Sequence, residues 1–403
     1  MNYLESKKFK HKNKTMKFSK SIPLLGLISL LGSCNTPPVT IYLTNKLSVE
    51  RQNETIEISI TDLPENLSAN IENIGVYDPS KNTFLITQLI DLDQDGKMDQ
   101  LIFQPQMAPS SEKIYHLKEQ LELPEAMEYC YSRIVPTRID DYTWENDRVA
   151  FRTYGPAAQA LVEEGKAGGI ISSGIDCWLK KVNYPVINKW YKASEELGIS
   201  YHEDHGEGLD NYHVGISRGA GGLAIKGEDN QYFVSKNFTN HKTLSTGPLR
   251  TLFQLDYANW RGPKGMIKEQ KTISLDYGNN LMKIEVSIEG TDQIAAGISL
   301  QENNGTIIDR DNLLIFKQNH FETILSNAIL TPQKHFKSQH LYNPQIKDQN
   351  HVFLDLKVLN NSLIYYVGFY WSESKQFSDH QAWENYLEDL SIKIENPIQI
   401  NIK

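Results

Sequence analysis

Alternation of apolar and polar residues recurs along most of the chain from residue 39 onward. β-branched and aromatic residues spaced two apart are typical of half-buried strands, and Gly, Asn and Asp between the runs mark turns. Such runs occupy residues 39–43, 56–60, 83–87, 100–103, 281–288, 313–316 and 363–370. Because these strands do not alternate regularly with helices, the pattern predicts an all-β fold in which antiparallel sheets pack as a β-sandwich.

Three segments have a helical pattern instead, at residues 156–163, 186–197 and 378–390, and Ser378 is placed to cap the third. A change of composition near residues 119–125 separates an early run of strands from a stretch rich in polar and aromatic residues. We therefore predict a small N-terminal β module over residues 39–120 and a main β-sandwich domain over residues 121–403, with a few short helices.

The first 38 residues have the pattern of an export signal. A lysine-rich start precedes an apolar run at residues 22–30, which is too short to span a bilayer, and the sequence Leu31-Gly32-Ser33-Cys34 resembles a bacterial lipoprotein cleavage site. We predict a signal peptide over residues 1–33, lipidation and membrane anchoring at Cys34, and a tether over residues 34–38. No acidic run follows Cys34, which favours an anchor facing the periplasm from the outer membrane over display on the cell surface.

Composition and charge exclude several classes of protein. With 403 residues, of which 39% are hydrophobic, the chain can bury a large core. Three Cys are too few for a disulfide scaffold, and Cys130 and Cys177 can either pair or remain buried thiols. Residues 1–33 hold seven Lys and one Glu, so removing their net charge of +6 changes the total from −9 to −15. A chain with this large a negative charge lacks the basic surface that a nucleic-acid-binding protein needs.

An acidic loop at residues 91–99 matches the first half of a calcium loop. Asp91, Asp93, Asp95 and Asp99 supply carboxylates at alternate positions, and Gly96 permits a sharp turn. The bidentate Glu of a complete loop is replaced by Ile102. The segment is therefore either a structural calcium site or an acidic turn between strands.

The densest group of titratable residues lies at 201–213. His202, His205 and His213 are three of the eleven His in the chain. Imidazoles exchange protons near neutral pH, and neighbouring carboxylates orient them. The carboxylates in this stretch belong to Asp204, Glu207 and Asp210, and a Gly-rich segment that includes Arg218 follows. Zinc is the rival use for such a group, but the spacing fits no compact metal motif.

A second candidate stretch covers residues 138–156. If residues 148–154 form a strand, Arg148, Ala150, Arg152 and Tyr154 share one face. Arginines on such a face can bind a planar carboxylate, and an aromatic residue such as Trp144 can stack on a sugar ring. Each arginine can equally well serve the structure, by pairing with a neighbouring aspartate.

The stretches DDYTWENDRVAFRTYGPA, GIDCWLKKVNYPVINKWY and YHEDHGEGLDNYHVG, together with RGAGG, resemble a family of bacterial lipoproteins and exported proteins from polysaccharide-utilisation clusters. That family is known as a domain of unknown function, and one member is assigned as a dehydratase of ulvan oligosaccharides. The resemblance covers most of the chain after the signal peptide. It implies a β-sandwich similar to those of mutarotases and polysaccharide lyases, and a uronate-containing oligosaccharide as substrate.

The reaction implied by the resemblance removes water from a non-reducing terminal uronic acid and leaves a 4,5-unsaturated ring. It requires a cation at the carboxylate, a base for the C5 proton and an acid for the C4 hydroxyl, and no cofactor. We assign Arg152, with Arg218 as substitute, to the carboxylate. His205 or His213 is the base and Tyr154 or His202 the acid, with Asp204, Glu207, Asp210 and Trp144 around them. The alternatives are a carbohydrate-binding lipoprotein without activity and an epimerase or mutarotase of the same fold.

Overall fold

The structure is a computed structural model that describes residues 39–120, 124–229 and 231–403, and these residues belong to one compact unit. The predicted signal peptide, the tether and Cys34 lie outside the described residues, so those assignments stay predictions. Within the described part, no helix is both long and apolar enough to cross a membrane.

The first elements build a small module with its own core. They are β1 (Thr40–Thr44), β2 (Ile56–Ser59), α1 (Glu65–Ser68), β3 (Ile74–Asp78), β4 (Thr83–Phe84), β5 (Thr87–Ile90), β6 (Gln100–Phe103) and β7 (Glu112–Glu119). Apolar side chains such as Ile41, Ile58 and Leu101 fill the core of this module. The strands predicted from alternation near residues 40, 57 and 101 are confirmed.

The next segment combines strands with two helices. It consists of β8 (Tyr131–Val135), β9 (Asp141–Glu145), β10 (Ala150–Thr153), α2 (Pro156–Glu163), β11 (Asp176–Lys180), α3 (Ile187–Leu197) and β12 (Gly208–Leu209). Both helices lie where the sequence predicts them. Helix α3 buries Ile187, Trp190 and Tyr191, which share one helical face, and ends at Gly198, whose φ of 66° suits glycine at a helix C-terminus.

The rest of the chain is nearly all strand until its last helix. Its strands are β13 (Ala220–Lys226), β14 (Tyr232–Phe233), β15 (Phe238–Ser245), β16 (Arg250–Tyr257), β17 (Trp260–Gly262), β18 (Gly265–Asp276), β19 (Leu281–Glu289), β20 (Gln293–Ser299), β21 (Thr306–Arg310), β22 (Leu313–His320), β23 (Thr323–Leu330), β24 (Phe336–Tyr342), β25 (His351–Lys357), β26 (Ser362–Trp371) and, after α4 (His380–Glu395), β27 (Gln399–Ile402). The cap of α4 is Asp379, which accepts a hydrogen bond from the Ala382 N–H, and not the predicted Ser378.

The strands pair into five sheets, and every pairing between neighbouring strands is antiparallel. A nine-stranded sheet contains β15 to β19, β21 to β23 and β26, and packs against the five-stranded sheet β14-β13-β20-β25-β24. On β19, alternate residues from Met282 to Ile288 point into the core between these sheets. The predicted antiparallel β-sandwich is confirmed.

The N-terminal module is not built from residues 39–120 alone. Its larger sheet has the order β27-β1-β7-β3-β4, so the last strand of the chain pairs with the first. Alternation cannot reveal this pairing, because it predicts strands without naming their partners. Cys130 and Cys177, whose pairing the sequence leaves open, are both free and buried.

Helix α3 is positioned by a buried ion pair on the sheet β12-β11-β10-β9-β8. The Lys180 ammonium donates to Glu145 Oε2 at 2.9 Å and to the Asn146 carbonyl at 2.6 Å, and both charged side chains are fully buried. The same carboxylate accepts the N–H groups of Val186 and Ile187 at 2.8–3.0 Å. The negative charge therefore lies at the positive end of the helix dipole.

Replacing Lys180 by Met removes the ammonium and leaves the buried carboxylate without its cation. We expect Lys180→Met to lower the free energy of unfolding by about 3 kcal/mol or more, measured by urea denaturation. The control is Lys192→Met, which removes an exposed ammonium 3.9 Å from Glu196 on the same helix and should change that free energy by about 0.5 kcal/mol or less. Equal effects of the two substitutions would contradict the role assigned to Lys180.

Candidate functional site

The sheet that carries α3 has two covered faces, and they hold different residue types. Trp144, Phe151 and Cys177 point into the core of the sandwich. Ala150 and Trp178 point the other way and are covered by α3 and by the loop at residues 199–210. Every candidate site residue on this sheet is therefore buried, on one face or the other. The alternating pattern of β10 had suggested instead that one face of the strand is open to a ligand.

Trp144 lies within the core of the sandwich. Its ring is fully buried, stacks on Phe151 with 5.6 Å between ring centroids, and contacts Phe253 at 5.1 Å. Tyr154 is buried in the same core, and burial, reinforced by Asp176, raises the pKa of its phenol. Both side chains thus belong to the core of the sandwich, and the assignments of Trp144 to substrate contact and of Tyr154 as the catalytic acid stay predictions.

Arg152 forms a buried group, here named the arginine cluster, with Asp141, Asp176 and Asp210. One guanidinium nitrogen lies 2.5 Å from Asp176 and 2.8 Å from Asp210, and another lies 3.6 Å from Asp141. Three carboxylates of the chain thus surround a single cation. The guanidinium is therefore paired with carboxylates of the chain itself, and the binding of a substrate carboxylate by Arg152 stays a prediction.

Burial and mutual repulsion change the titration of the arginine cluster. Burial, with repulsion from Asp210, raises the pKa of Asp176 to about 7 although Arg152 opposes the shift. Burial likewise raises the pKa of Asp141 to about 6, against the attraction of Arg152. The pKa of Asp210 is also raised by burial. The cluster therefore holds protons near neutral pH that exposed carboxyl groups would have lost.

A pocket of about 310 Å³, here named the Trp190 pocket, opens between α3 and the loop at residues 199–208. It is lined by the aromatic residues Trp190 and Tyr201, by the ionisable residues Glu203, His205 and Glu207, and by the ammonium group of Lys189. The loop is held in place by β12, where Gly208 has a φ of 117° and a Cβ would collide with the Leu179 carbonyl. The volume is within the range of small-molecule sites.

Two of the predicted site residues, His205 and Glu207, meet in this pocket. His205 Nε2 lies 3.0 Å from the Ser200 carbonyl, which can only accept, so Nε2 carries a proton and donates it. Glu207 accepts hydrogen bonds from Lys189 at 2.5 Å, from Trp190 at 3.2 Å and from Tyr184. Burial opposes its charge, but these three donors outweigh burial and lower the pKa of Glu207.

The other imidazoles of the motif lie apart from the pocket. His202 is half exposed, its ring lies 4.5 Å from that of Tyr201 in a tilted arrangement, and its Nδ1 donates to the Asp210 carbonyl at 2.6 Å. His213 is exposed and pairs through Nε2 with Asp348 at 2.9 Å. Because His213 contacts a different loop, it does not join the residues around His205, and its assignment as the base stays a prediction.

Asp204 and Arg218 hold loops together. Asp204 pairs with Lys181 and accepts the N–H groups of Gly206 and Gly208 at 2.8 and 3.1 Å; burial opposes its charge, but these contacts prevail and lower its pKa. Arg218 is buried, donates to Ser173 Oγ at 3.0 Å and to the Ile216 carbonyl at 3.1 Å, and has its pKa lowered to about 10 by burial. Neither residue lines the Trp190 pocket.

The acidic loop connects β5 and β6. Ligand oxygens of Asp91, Asp93 and Asp99 all lie within 4.8 Å of one another, and backbone N–H groups already bond Asp91 and Asp99. Asp95 is outside this group and lies 3.9 Å from the Lys97 ammonium. Three of the four predicted ligands are thus close together, and calcium binding stays a prediction.

Sequence reasoning missed Lys189, the importance of Trp190 and the pairing of Arg152 with Asp141, Asp176 and Asp210. Lys189 and Trp190 are consecutive on a helix that the sequence predicts, and the amphipathic pattern of that helix indicates which side faces the sheet. No pattern indicates that the loop at residues 199–208 folds over that helix, so the pocket between them was not predictable.

Two solved structures from Enterococcus faecalis align with 91% of this chain. One is a protein in the Glycosyl Hydrolase Family 38, with 10% sequence identity and a TM-score of 0.50. The other is an alpha-mannosidase from strain V583, with 9% identity and a TM-score of 0.47. The chain covers 47% and 46% of these two proteins, so it spans about half their length. At this identity the comparison concerns the fold alone.

Sequence comparison identifies a relative with much higher identity and a matching family. Uncharacterized protein P7 from Formosa agariphila is 42% identical over 397 residues, which cover 96% of this chain and 100% of that protein. A family model matches residues 43–400, nearly everything that the structure describes. The chain therefore belongs to the family described as Domain of unknown function (DUF4861).

Proposed function

We propose that the chain acts on carbohydrate, as a dehydratase that removes water from a non-reducing terminal uronic acid of ulvan-type oligosaccharides. The reaction takes place in the Trp190 pocket. The observation that carries this proposal is the meeting of an imidazole, an ammonium and two aromatic rings in a cavity of about 310 Å³. The resemblance of the sequence motifs to a dehydratase supports the substrate class, whereas fold similarity alone carries no function.

Substrate binding uses the aromatic rings and the ammonium of the pocket. Trp190 and Tyr201 offer apolar faces to a sugar ring, as aromatic side chains in ligand sites commonly do. The Lys189 ammonium is 61% exposed, and its partner Glu207 raises its pKa, so it stays charged. A uronate carboxylate entering the pocket competes with Glu207 for this cation. Lys189 thus takes the role that the sequence assigned to Arg152 or Arg218.

The elimination transfers two protons. The lone pair on His205 Nδ1 accepts the C5 proton, the C5–H electron pair becomes the C4=C5 double bond, and the bond from C4 to its hydroxyl breaks. The departing oxygen takes the phenol proton of Tyr201 and leaves as water. Burial raises the pKa of Tyr201, which keeps its phenol protonated before reaction. The imidazolium of His205 then returns its proton to the phenolate.

The arginine cluster stabilises the loop that lines the Trp190 pocket. The Asp210 N–H donates to the Tyr201 carbonyl at 2.8 Å, so the loop that carries Tyr201 is fastened to a residue bound by Arg152. Replacing a member of the cluster should therefore change stability before it changes the chemical step.

Removing the base or the acid should slow the chemical step, whereas removing the cation should weaken substrate binding. We expect His205→Ala to lower kcat by about a hundredfold or more and Tyr201→Phe by a similar factor, because each loses a proton-transfer group. Lys189→Ala should mainly raise KM for uronate-terminated substrates. Lys192→Ala, one turn further along α3 and outside the pocket, is the matched control and should act like the wild type.

The assay for these variants follows the ultraviolet absorbance of the unsaturated uronate and the loss of one water by mass spectrometry. A changed sugar configuration at unchanged mass would identify an epimerase or mutarotase instead. Binding with no chemical change would identify a carbohydrate-binding protein. Full activity in both His205→Ala and Tyr201→Phe would remove the pocket from the mechanism.

The pH dependence of stability tests whether the arginine cluster is structural. Since the pKa of Asp176 is about 7 in the folded chain and near 3.8 when exposed, the folded state holds an extra proton between these values. The stabilising effect of this extra proton on the folded state is present at pH 5 and lost by pH 8. The free energy of unfolding of the wild type, measured with urea, should therefore fall from pH 5 to pH 8. This fall should be about 1–3 kcal/mol larger than the fall measured for Asp176→Asn.

The control for this measurement is Asp309→Asn, which changes an exposed carboxylate on β21 and should keep the wild-type pH dependence. We expect Asp176→Asn to retain kcat within a few-fold. A stable but inactive Asp176→Asn variant would place the cluster in the chemistry and contradict this assignment.

We propose further that the chain is exported and anchored to the outer membrane by lipid on Cys34, facing the periplasm. Cells fed labelled palmitate should incorporate the label into the wild-type chain and lose it in Cys34→Ser. Cys130→Ser, which changes a thiol described as free and buried, should keep the label. Equal labelling of all three chains would contradict a lipid anchor at Cys34.

A further inference from the structure

A hydrogen-bonded chain of three side chains lies on the sheet β14-β13-β20-β25-β24, outside the Trp190 pocket. The Asp355 carboxylate accepts from His340 Nδ1 at 2.9 Å and from Ser338 Oγ at 2.7 Å. Because a carboxylate only accepts, Nδ1 carries a proton, and Nε2 is hydrogen-bonded to the Tyr232 hydroxyl at 2.5 Å. The contacts therefore link Tyr232 to Asp355 through the His340 ring.

Aromatic stacking holds this chain of side chains rigid. The ring of Phe353 lies beneath Tyr232, with 4.7 Å between centroids and 9° between planes, and beneath His340, at 5.2 Å and 20°. Asp355 is thus anchored through Oδ2 alone. Its other oxygen, Oδ1, makes no hydrogen bond with the residues that the structure describes, and its side chain is 22% exposed.

A cavity of about 810 Å³, here named the His340 cavity, opens beside Asp355 and His340. Phe233 supplies an aromatic wall, and three ammonium groups, of Lys226, Lys264 and Lys337, lie around it. It shares no lining residue with the Trp190 pocket. Its volume is more than twice that of the Trp190 pocket, which is enough for a ligand of several sugar rings.

The charges in the His340 cavity nearly cancel. Besides the three ammonium groups, its lining holds the carboxylates of Glu228, Asp229, Asp292 and Asp355. Such a lining offers many hydrogen-bond donors and acceptors with little net charge, which suits hydroxyl groups better than an anion. The net charge of −15 after the predicted cleavage also disfavours a polyanionic ligand.

We propose that the His340 cavity is a second carbohydrate site, which binds a neutral oligosaccharide through Asp355 and the surrounding lysines. Asp355 Oδ1 accepts a sugar hydroxyl, Lys226 and Lys337 donate to ring and hydroxyl oxygens, and the apolar face of one sugar stacks on Phe233. His340 and Tyr232 act as positioning residues that hold the Asp355 carboxylate. This site binds without turnover and is separate from the proposed reaction.

The test is isothermal titration calorimetry of the full chain with neutral tetra- to hexasaccharides built from glucose, mannose, xylose or rhamnose. We expect at least one of these probes to bind with a millimolar or lower Kd. Asp355→Asn should weaken that binding about tenfold or more, because the lost charge weakens an accepted hydrogen bond. The double substitution Lys226→Ala with Lys337→Ala changes only exposed residues and should weaken binding by a similar factor without affecting the fold.

Two control variants separate this site from the reaction. His205→Ala removes the proposed base and should bind the neutral probe like the wild type, and Asp309→Asn should do the same. Failure of every probe to bind, or wild-type binding by both the Asp355 and the lysine variants, would overturn the proposal. Loss of binding in His205→Ala would place the ligand in the Trp190 pocket instead. Uronate-terminated probes that bind this cavity about tenfold tighter than neutral ones would overturn the neutral ligand class.

Discussion

Glu145 and Lys180 bury opposite charges beneath the first turn of α3, and the position of that helix determines the candidate site. The carboxylate bonds both the Lys180 ammonium and two N–H groups at the start of the helix. Burying either charge alone would be strongly unfavourable, so the pair requires β9, β11 and the helix to meet in one arrangement. The Trp190 pocket is the space that remains between this helix and the loop after it.

The arginine cluster illustrates how a catalytic-looking group can serve the fold. A lone Arg on a strand resembles a carboxylate binder, but Arg152 already contacts three carboxylates of the chain. Burial, reinforced by the neighbouring negative charges, raises the pKa of Asp176 and Asp141, and the protons retained in this way ease the repulsion. Buried charge of this kind connects strands that are far apart in sequence, and here it fastens the loop that carries Tyr201.

Proximity in sequence did not keep the three imidazoles of the 201–213 motif together. His205 turns into the Trp190 pocket, His202 bonds the backbone of its own loop, and His213 pairs with Asp348. A loop that crosses from α3 to β13 passes three different surfaces in twelve residues. The His340 cavity represents the opposite case, since strands distant in sequence bring Tyr232, His340 and Asp355 into one hydrogen-bonded chain.

Local pattern alone predicted several strands, such as those near residues 40, 57, 101, 284 and 367, the sandwich class and the positions of the three helices, because side-chain alternation and helical periodicity are short-range properties. It also placed His205 and Glu207 in a segment suited to proton chemistry. Only the tertiary structure decided that Trp144 and Arg152 are buried, that β27 completes the N-terminal sheet and that Lys189 faces His205. Periodicity separates the two faces of a strand, but whether a face meets solvent depends on which distant segment packs over it. That packing is a long-range property of the whole chain.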